Sequence, residues 1–306
     1  MEFGRFSKRA FPVHRSHKVP KLKFFGFLLV HIIQRSYYKV AGKNYAGDSY
    51  THTRSKRNKG GSAASIEDYP FMVSIRYAGG HTCGGSILSG NIILTARHCI
   101  NNVYLNLDLL FVKVEDADIN FKGSWHKVTS IIKHETYNED DKGIGDVALL
   151  KIDEPILLNN LTSRTIELFG EQDNVQDYAY GISIGWGVVP TIVPIHDEEQ
   201  NSSMLGTRII ERYPSKLRAV QLHIGSRNEC SDLIPEANLD GQFCTFTLGK
   251  DACVGDSGGP FVIDGRQAGI VSWGLGCISN EQIGYFIDVA KYRKWIDEHV
   301  KILQES

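Results

Sequence analysis

Lys250-Asp251-Ala252-Cys253-Val254-Gly255-Asp256-Ser257-Gly258-Gly259-Pro260 decides the reading of this 306-residue chain. A serine hydroxyl is a weak nucleophile, and it needs a base beside it and donors aimed at the oxyanion that its attack creates. The glycines answer the second need: Gly255 lets its N–H turn inward beside that of Ser257, and Gly258-Gly259 let a substrate backbone approach without a side-chain clash. Alone, Gly-Asp-Ser-Gly also describes a glycine-rich surface turn, so the remainder of the chain has to supply a base and a buried acid.

Upstream, Phe71–Arg76, Cys83–Leu88 and Ile92–Thr95 are short β-rich runs separated by glycine turns, the spacing of an all-β barrel or sandwich. The third run ends in Leu94-Thr95-Ala96-Arg97-His98-Cys99. A lone histidine there is ordinary, and so is Asp146 at the head of the apolar run Val147–Ile152, where an aspartate often closes a turn. Taken with the Ser257 segment, these stretches resemble the trypsin-like serine proteases of the chymotrypsin-fold family, in the family's order His98, Asp146, Ser257.

That resemblance implies an all-β fold of two six-stranded antiparallel β-barrels packed together with a C-terminal α-helix. The barrels fall at about 66–155 and 170–287 and the helix at 288–304, within a peptidase domain of residues 58–306. It further implies that Ser257 attacks a carbonyl, His98 takes its proton, Asp146 orients the imidazole, and the N–H groups of Gly255 and Ser257 hold the oxyanion. Asp251 is then the acidic floor of a pocket with Ala252 beside it, reached past Trp273 and opened by Gly274 and Gly284; Ser272 contacts Asp146. An acidic floor under an open pocket favours Arg or Lys.

The resemblance also implies a zymogen, cut after Arg57 so that the new ammonium of Asn58 pairs with Asp256. Here the chain departs from the family, which presents Ile or Val at that terminus. Losing the apolar group forfeits roughly 2 kcal/mol, so Asn58→Ile is expected to raise the activity of the cleaved form. Arg97 also stands where the family has a small alanine. These two departures leave open a second reading, a weakly active or non-catalytic relative that binds or regulates. The esterase alternative is set aside because its nucleophile elbow reads G-x-S-x-G and its histidine follows the serine.

The six cysteines, at 83, 99, 230, 244, 253 and 277, are an even set that fits an oxidising compartment. Fifteen pairings are formally open; the resemblance implies Cys83–Cys99, Cys230–Cys244 and Cys253–Cys277. None has the spacing of a zinc or redox site, and the mechanism calls for no metal or organic cofactor. The sequons at Asn160 and Asn201 suit a secreted glycoprotein.

The net charge of −1 conceals an asymmetry, since residues 1–60 carry 14 Lys/Arg against 2 Asp/Glu. No patterned nucleic-acid motif accompanies that charge, so residues 1–57 read as a basic extension that is removed or disordered, and no nucleic acid is expected as a partner. Within it, residues 24–33 are an apolar run after a basic flank, too short to span a bilayer and patterned like a signal peptide, with Val40-Ala41-Gly42 as a cleavage site. An internal signal-like segment, an anchor and a misassigned start stay open. The expected protein is a secreted monomer with no stable membrane span. Its partners are protein or peptide substrates, an activating protease and protein inhibitors.

Overall fold

The computed structural model describes residues 61–101, 106–120, 122–137, 143–196, 204–235, 238–247, 255–275 and 283–305. Asp251, Ala252, Arg57, Asn58 and the Cys253–Cys277 pair lie outside these.

A two-residue strand, β1 (Ser62–Ala63), precedes the first barrel, which is built from β2 (Met72–Tyr77), β3 (Gly80–Ser89), β4 (Ile92–Thr95), β5 (Leu110–Val114), β6 (Ser124–Lys133) and β7 (Ala148–Ile152). These close in the order β2-β3-β4-β7-β6-β5, all antiparallel. Period-two burial fills the interior with Val73, Ile75, Ile87, Ile93, Val112, Val128 and Leu150. The second barrel uses β8 (Tyr180–Gly185), then, beyond a separate hairpin of β9 (Val189–His196) and β10 (Met204–Arg212), β11 (Arg218–Ile224), β12 (Gln242–Phe246), β13 (Pro260–Ile263), β14 (Arg266–Leu275) and β15 (Ile283–Asp288). Its order is β11-β12-β15-β14-β13-β8, and β8 pairs back onto β11 to close the ring, with β1 added outside β11. Closure removes the free edges that an open sheet would expose.

Two α-helices are found among the described residues. Helix α1 (Arg227–Leu233) begins at Ser226 with a capping box to Glu229. Helix α2 (Val289–Glu305) is capped by Asp288, whose Oδ1 accepts the Ala290 N–H at 3.1 Å. Its Val289, Trp295, Ile296 and Leu303 are buried in the core between the barrels. No helix among the described residues is long and apolar enough to cross a membrane.

The stretch 188–213 reads from sequence as a long solvated loop but contains the β9–β10 hairpin, in register from His196↔Met204 to Val189↔Arg212. Pro190 and Pro194 argue against a strand, because proline donates nothing to a ladder. They are accommodated because among the described residues β9 pairs with β10 alone, and the β-branched residues Thr191-Ile192-Val193 oppose Arg208-Ile209-Ile210.

The barrels meet closely where β3 faces the segment after Ser257. Gly84 N donates to the Ser257 carbonyl at 2.7 Å, and a Cβ on Gly84 would approach Gly259 Cα to 2.9 Å. The junction also carries buried polar ties: Ser86 Oγ donates to Gln267 Oε1 at 2.6 Å, and Trp186 Nε1 donates to the Ala117 carbonyl at 2.9 Å.

Candidate active site

His98 sits in a short 3-10 turn, Arg97–Ile100, that starts where β4 ends. Its Nδ1 lies 2.7 Å from Asp146 Oδ2, and its backbone N–H donates to Asp146 Oδ1 at the same distance. A carboxylate only accepts, so Nδ1 carries the proton and Nε2 is left as the basic nitrogen. Asp146 is 1% exposed, and its charge is further satisfied by Ser272 Oγ, which donates to Oδ2 at 2.6 Å from β14. Three donors thus converge on one buried carboxylate, the arrangement that makes such burial tolerable.

The turn carrying Asp146 is held from behind. Gly145 N donates to Tyr292 Oη at 2.9 Å, which ties the turn to α2. His134 packs edge-on against Tyr292, and burial lowers its pKa. Arg97 Nη1 donates to the His134 carbonyl, and its guanidinium lies over Tyr137 at 5.0 Å. The residue in the family's alanine position therefore points away from the imidazole and braces the segment behind Asp146.

The Ser257 loop is packed against the segment that precedes His98 through the glycines around it. Gly258 has φ +76°, and a Cβ there would meet the Gly84 carbonyl at 2.7 Å and Ala96 N at 3.0 Å, so its backbone lies against the residues just before His98. Gly258 N donates to the Val271 carbonyl and Val271 N to the Gly259 carbonyl, which sets the loop on β14 one residue from Ser272. Among the described residues neither the Gly255 nor the Ser257 N–H has a hydrogen-bond acceptor. The Gly255 carbonyl is taken by His81 Nε2 at 3.0 Å, and His81 Nδ1 pairs with Ser74 Oγ at 2.9 Å. His81 and Ser74 are absent from the sequence reading. Nothing local marks them, since His81 and Gly255 are 174 residues apart.

Asp256 turns the other way, with Oδ1 accepting the Gly187 N–H at 2.7 Å. Its carboxylate fills the space where Gly185 and Gly187 would carry Cβ atoms. On the far side of Ser257, Trp273 stacks on Tyr285 at 3.9 Å and donates Nε1 to Gln242. Gly274 pairs with Gly284 across β14 and β15, and a Cβ on Gly274 would come within 2.8 Å of the Ile283 carbonyl.

Two disulfides frame the site, Cys83–Cys99 beside His98 and Cys230–Cys244 linking α1 to β12, as the sequence reading had them. Among the described residues one grouping has metal-like composition, Cys83, His98 and Cys99, but its sulfurs are joined to each other and offer no thiolate.

With this geometry in hand, known proteins can be compared. The family model described as Trypsin matches residues 58–296. Hypodermin-A of Hypoderma lineatum is 36% identical over 78% of this chain and 85% of its own length. Hypodermin-B of the same organism is 37% identical over 79% and 87%, and Trypsin delta of Drosophila melanogaster 33% over 78% and 86%. Among solved structures, the scabies mite inactivated protease paralogue S-D1 superposes with a TM-score of 0.66 over 79% of this chain and 97% of its own, at 21% identity, a likeness of fold alone.

Proposed function

We propose, from the premise that this chain belongs to the trypsin family of serine-type peptidases, that it is a secreted endopeptidase cutting after Arg or Lys, made as a zymogen. The observation that supports the reading is the His98 Nδ1–Asp146 Oδ2 contact at 2.7 Å, which leaves Nε2 as the nitrogen free to accept a proton.

In the proposed cycle Ser257 Oγ attacks the scissile carbonyl as His98 Nε2 takes its proton. The buried Asp146 stabilises the imidazolium so formed, and the N–H groups of Gly255 and Ser257 receive the oxyanion. His98 then protonates the leaving amine, and water, deprotonated by the same nitrogen, releases the acid from Ser257. Extended substrate lies along β14 as an added strand, where Gly274 and Gly284 carry no side chain to narrow the pocket; its acidic floor is assigned to Asp251 on the sequence resemblance alone. The preference for Arg or Lys rests on Asp251, and the choice of Arg57–Asn58 as the maturation cut rests on the spacing back from Tyr69-Pro70 and on Gly60-Gly61.

The experiment is burst release from a fluorogenic arginine ester before and after limited cleavage, with Ser257→Ala as control. A stoichiometric burst that disappears in Ser257→Ala is expected. Its absence from the cleaved wild type would favour a binding or regulatory relative. An equal rate on phenylalanine esters would remove the basic specificity.

A further inference from the structure

Trp273 stacks on Tyr285 at 3.9 Å with the two rings 3° from parallel. Tyr285 is fully buried, and its hydroxyl donates to the Cys230 carbonyl at 3.1 Å, so the platform under the indole is itself fastened. Stacking sets the plane of the indole but not which edge points where. The outer torsion of a tryptophan is broad, and a half-turn about it returns the ring to the same plane with its edges exchanged.

Gln242 makes that choice. Trp273 Nε1 donates to Gln242 Oε1 at 2.8 Å, and Gln242 Nε2 donates to the Asn238 carbonyl at 3.2 Å. Gln242 is 6% exposed, so both halves of its amide are bonded where water hardly reaches. Its backbone is anchored as well: Gln242 N donates to the Leu239 carbonyl at 3.2 Å, and the Tyr292 ring lies 2.8 Å from where Gly241 would carry a Cβ. The edge so selected faces Gly143, at which a Cβ would come within 2.8 Å of Trp273 Cδ1 and 2.9 Å of Nε1. Gly143 belongs to the turn of the triad acid, its carbonyl accepting the Asp146 N–H at 3.1 Å. A half-turn of the indole would swing its six-membered ring toward that turn.

We propose that Gln242 is a positioning residue for substrate binding: by holding the narrow edge of Trp273 toward Gly143, it makes the indole one fixed wall beside a peptide extended along β14. It acts through Trp273 and not on the reacting atoms. The inference rests on the reading of β14 as the strand that receives a peptidase substrate. A tripeptide lies along this wall, whereas a single-residue ester ends short of it.

The test compares wild type with Gln242→Met, which keeps the reach of the side chain and loses its amide, and with Gln242→Glu, which keeps an oxygen for the indole. All are the full chain matured by limited cleavage. Ultraviolet resonance Raman of the indole N–H, taken as the difference from Trp273→Phe, reads the bond itself. KM and kcat are measured on a tripeptide arginine amide and a single-residue arginine ester, and the Kd of the tripeptide product by fluorescence titration. Gln242→Met is expected to lose the bonded indole signal and to raise KM and Kd for the tripeptide about five- to tenfold, the loss falling on KM rather than kcat. The preference for the tripeptide over the ester drops by the same factor. Gln242→Glu recovers to within about threefold of wild type, and Gln242→Met adds no further loss in a Trp273→Phe background. An unbonded indole signal in wild type overturns the proposal even if Gln242→Met fails to fold. So do equal losses on both substrates, a loss confined to kcat, or an effect of Gln242→Met that persists without Trp273. Variants that show the expected difference in Kd while no form hydrolyses anything sink the peptidase reading and leave the positioning intact. Forms that all hydrolyse both substrates alike do the reverse.

Discussion

His81 shows how far one half-buried group can govern a loop it does not belong to. Burial pushes its pKa from 6.5 down to about 4, and the Arg76 cation adds to this against the opposing pull of the Gly255 carbonyl. The neutral ring donates Nε2–H to that carbonyl and accepts at Nδ1 from Ser74. Because the folded pKa is depressed, the unfolded chain binds the proton more readily. Stability is complete above pH 6.5 and falls as the pH drops from 6.5 toward 4, by about 3 kcal/mol. His134, lowered by burial, contributes with the same sign. His81→Gln should flatten the dependence of Tm on pH over this window, and an unaltered slope would assign the titration elsewhere. At the triad, Ser272→Ala removes one of three donors to Asp146 and should lower kcat about tenfold with KM unchanged, as suits a hydrogen bond to a charge. Asp146→Asn should cost about 10⁴-fold, because the imidazole loses its tautomer. Steady-state kinetics on one arginine substrate would rank the two.

Among the elements, α2 reaches furthest beyond its own packing, since Tyr292 Oη accepts the N–H of Gly145, next to the triad acid. Tyr292→Phe leaves that N–H without its partner, and the expected result is a loss of about 1–2 kcal/mol with a severalfold fall in kcat. Denaturant melts and kinetics on the same preparation would show whether the two move together. The β9–β10 hairpin is the opposite case, pairing only with itself among the described residues. Replacing residues 190–211 by a short Gly-Ser turn should leave Tm and the hydrolysis of small amides close to wild type. Legibility divides along the same line. Strands β2 to β4 were readable because glycine turns and β-branched runs are local signals, and the His98–Asp146 contact because family motifs surround both residues. The hairpin was hidden by Pro190 and Pro194, which oppose strand formation unless the ladder is short of neighbours. His81 and Tyr292 were hidden because their partners lie 174 and 147 residues away, where no pattern in the chain points.

For the whole molecule, the two closed barrels and the contact between them decide what is rigid. The Cys83–Cys99 bridge closes a loop of 16 residues, for which chain entropy suggests about 3 kcal/mol. Cys83→Ala with Cys99→Ala should lower the unfolding free energy by about that amount in urea, and a change under 1 kcal/mol would mean that the barrel alone holds β3 to the histidine turn. The unfamiliar Arg97 comes with a matched set of partners, the His134 carbonyl and the Tyr137 ring, and such matching is visible only once distant segments are adjacent. Between the barrels, Gly84 and Gly259 cross with no side chain between them, and the Ser257 carbonyl is fastened to Gly84. A methyl group at residue 84 would therefore push the two backbones apart beside Ser257, so this seam has no room for a side chain on the first-barrel side.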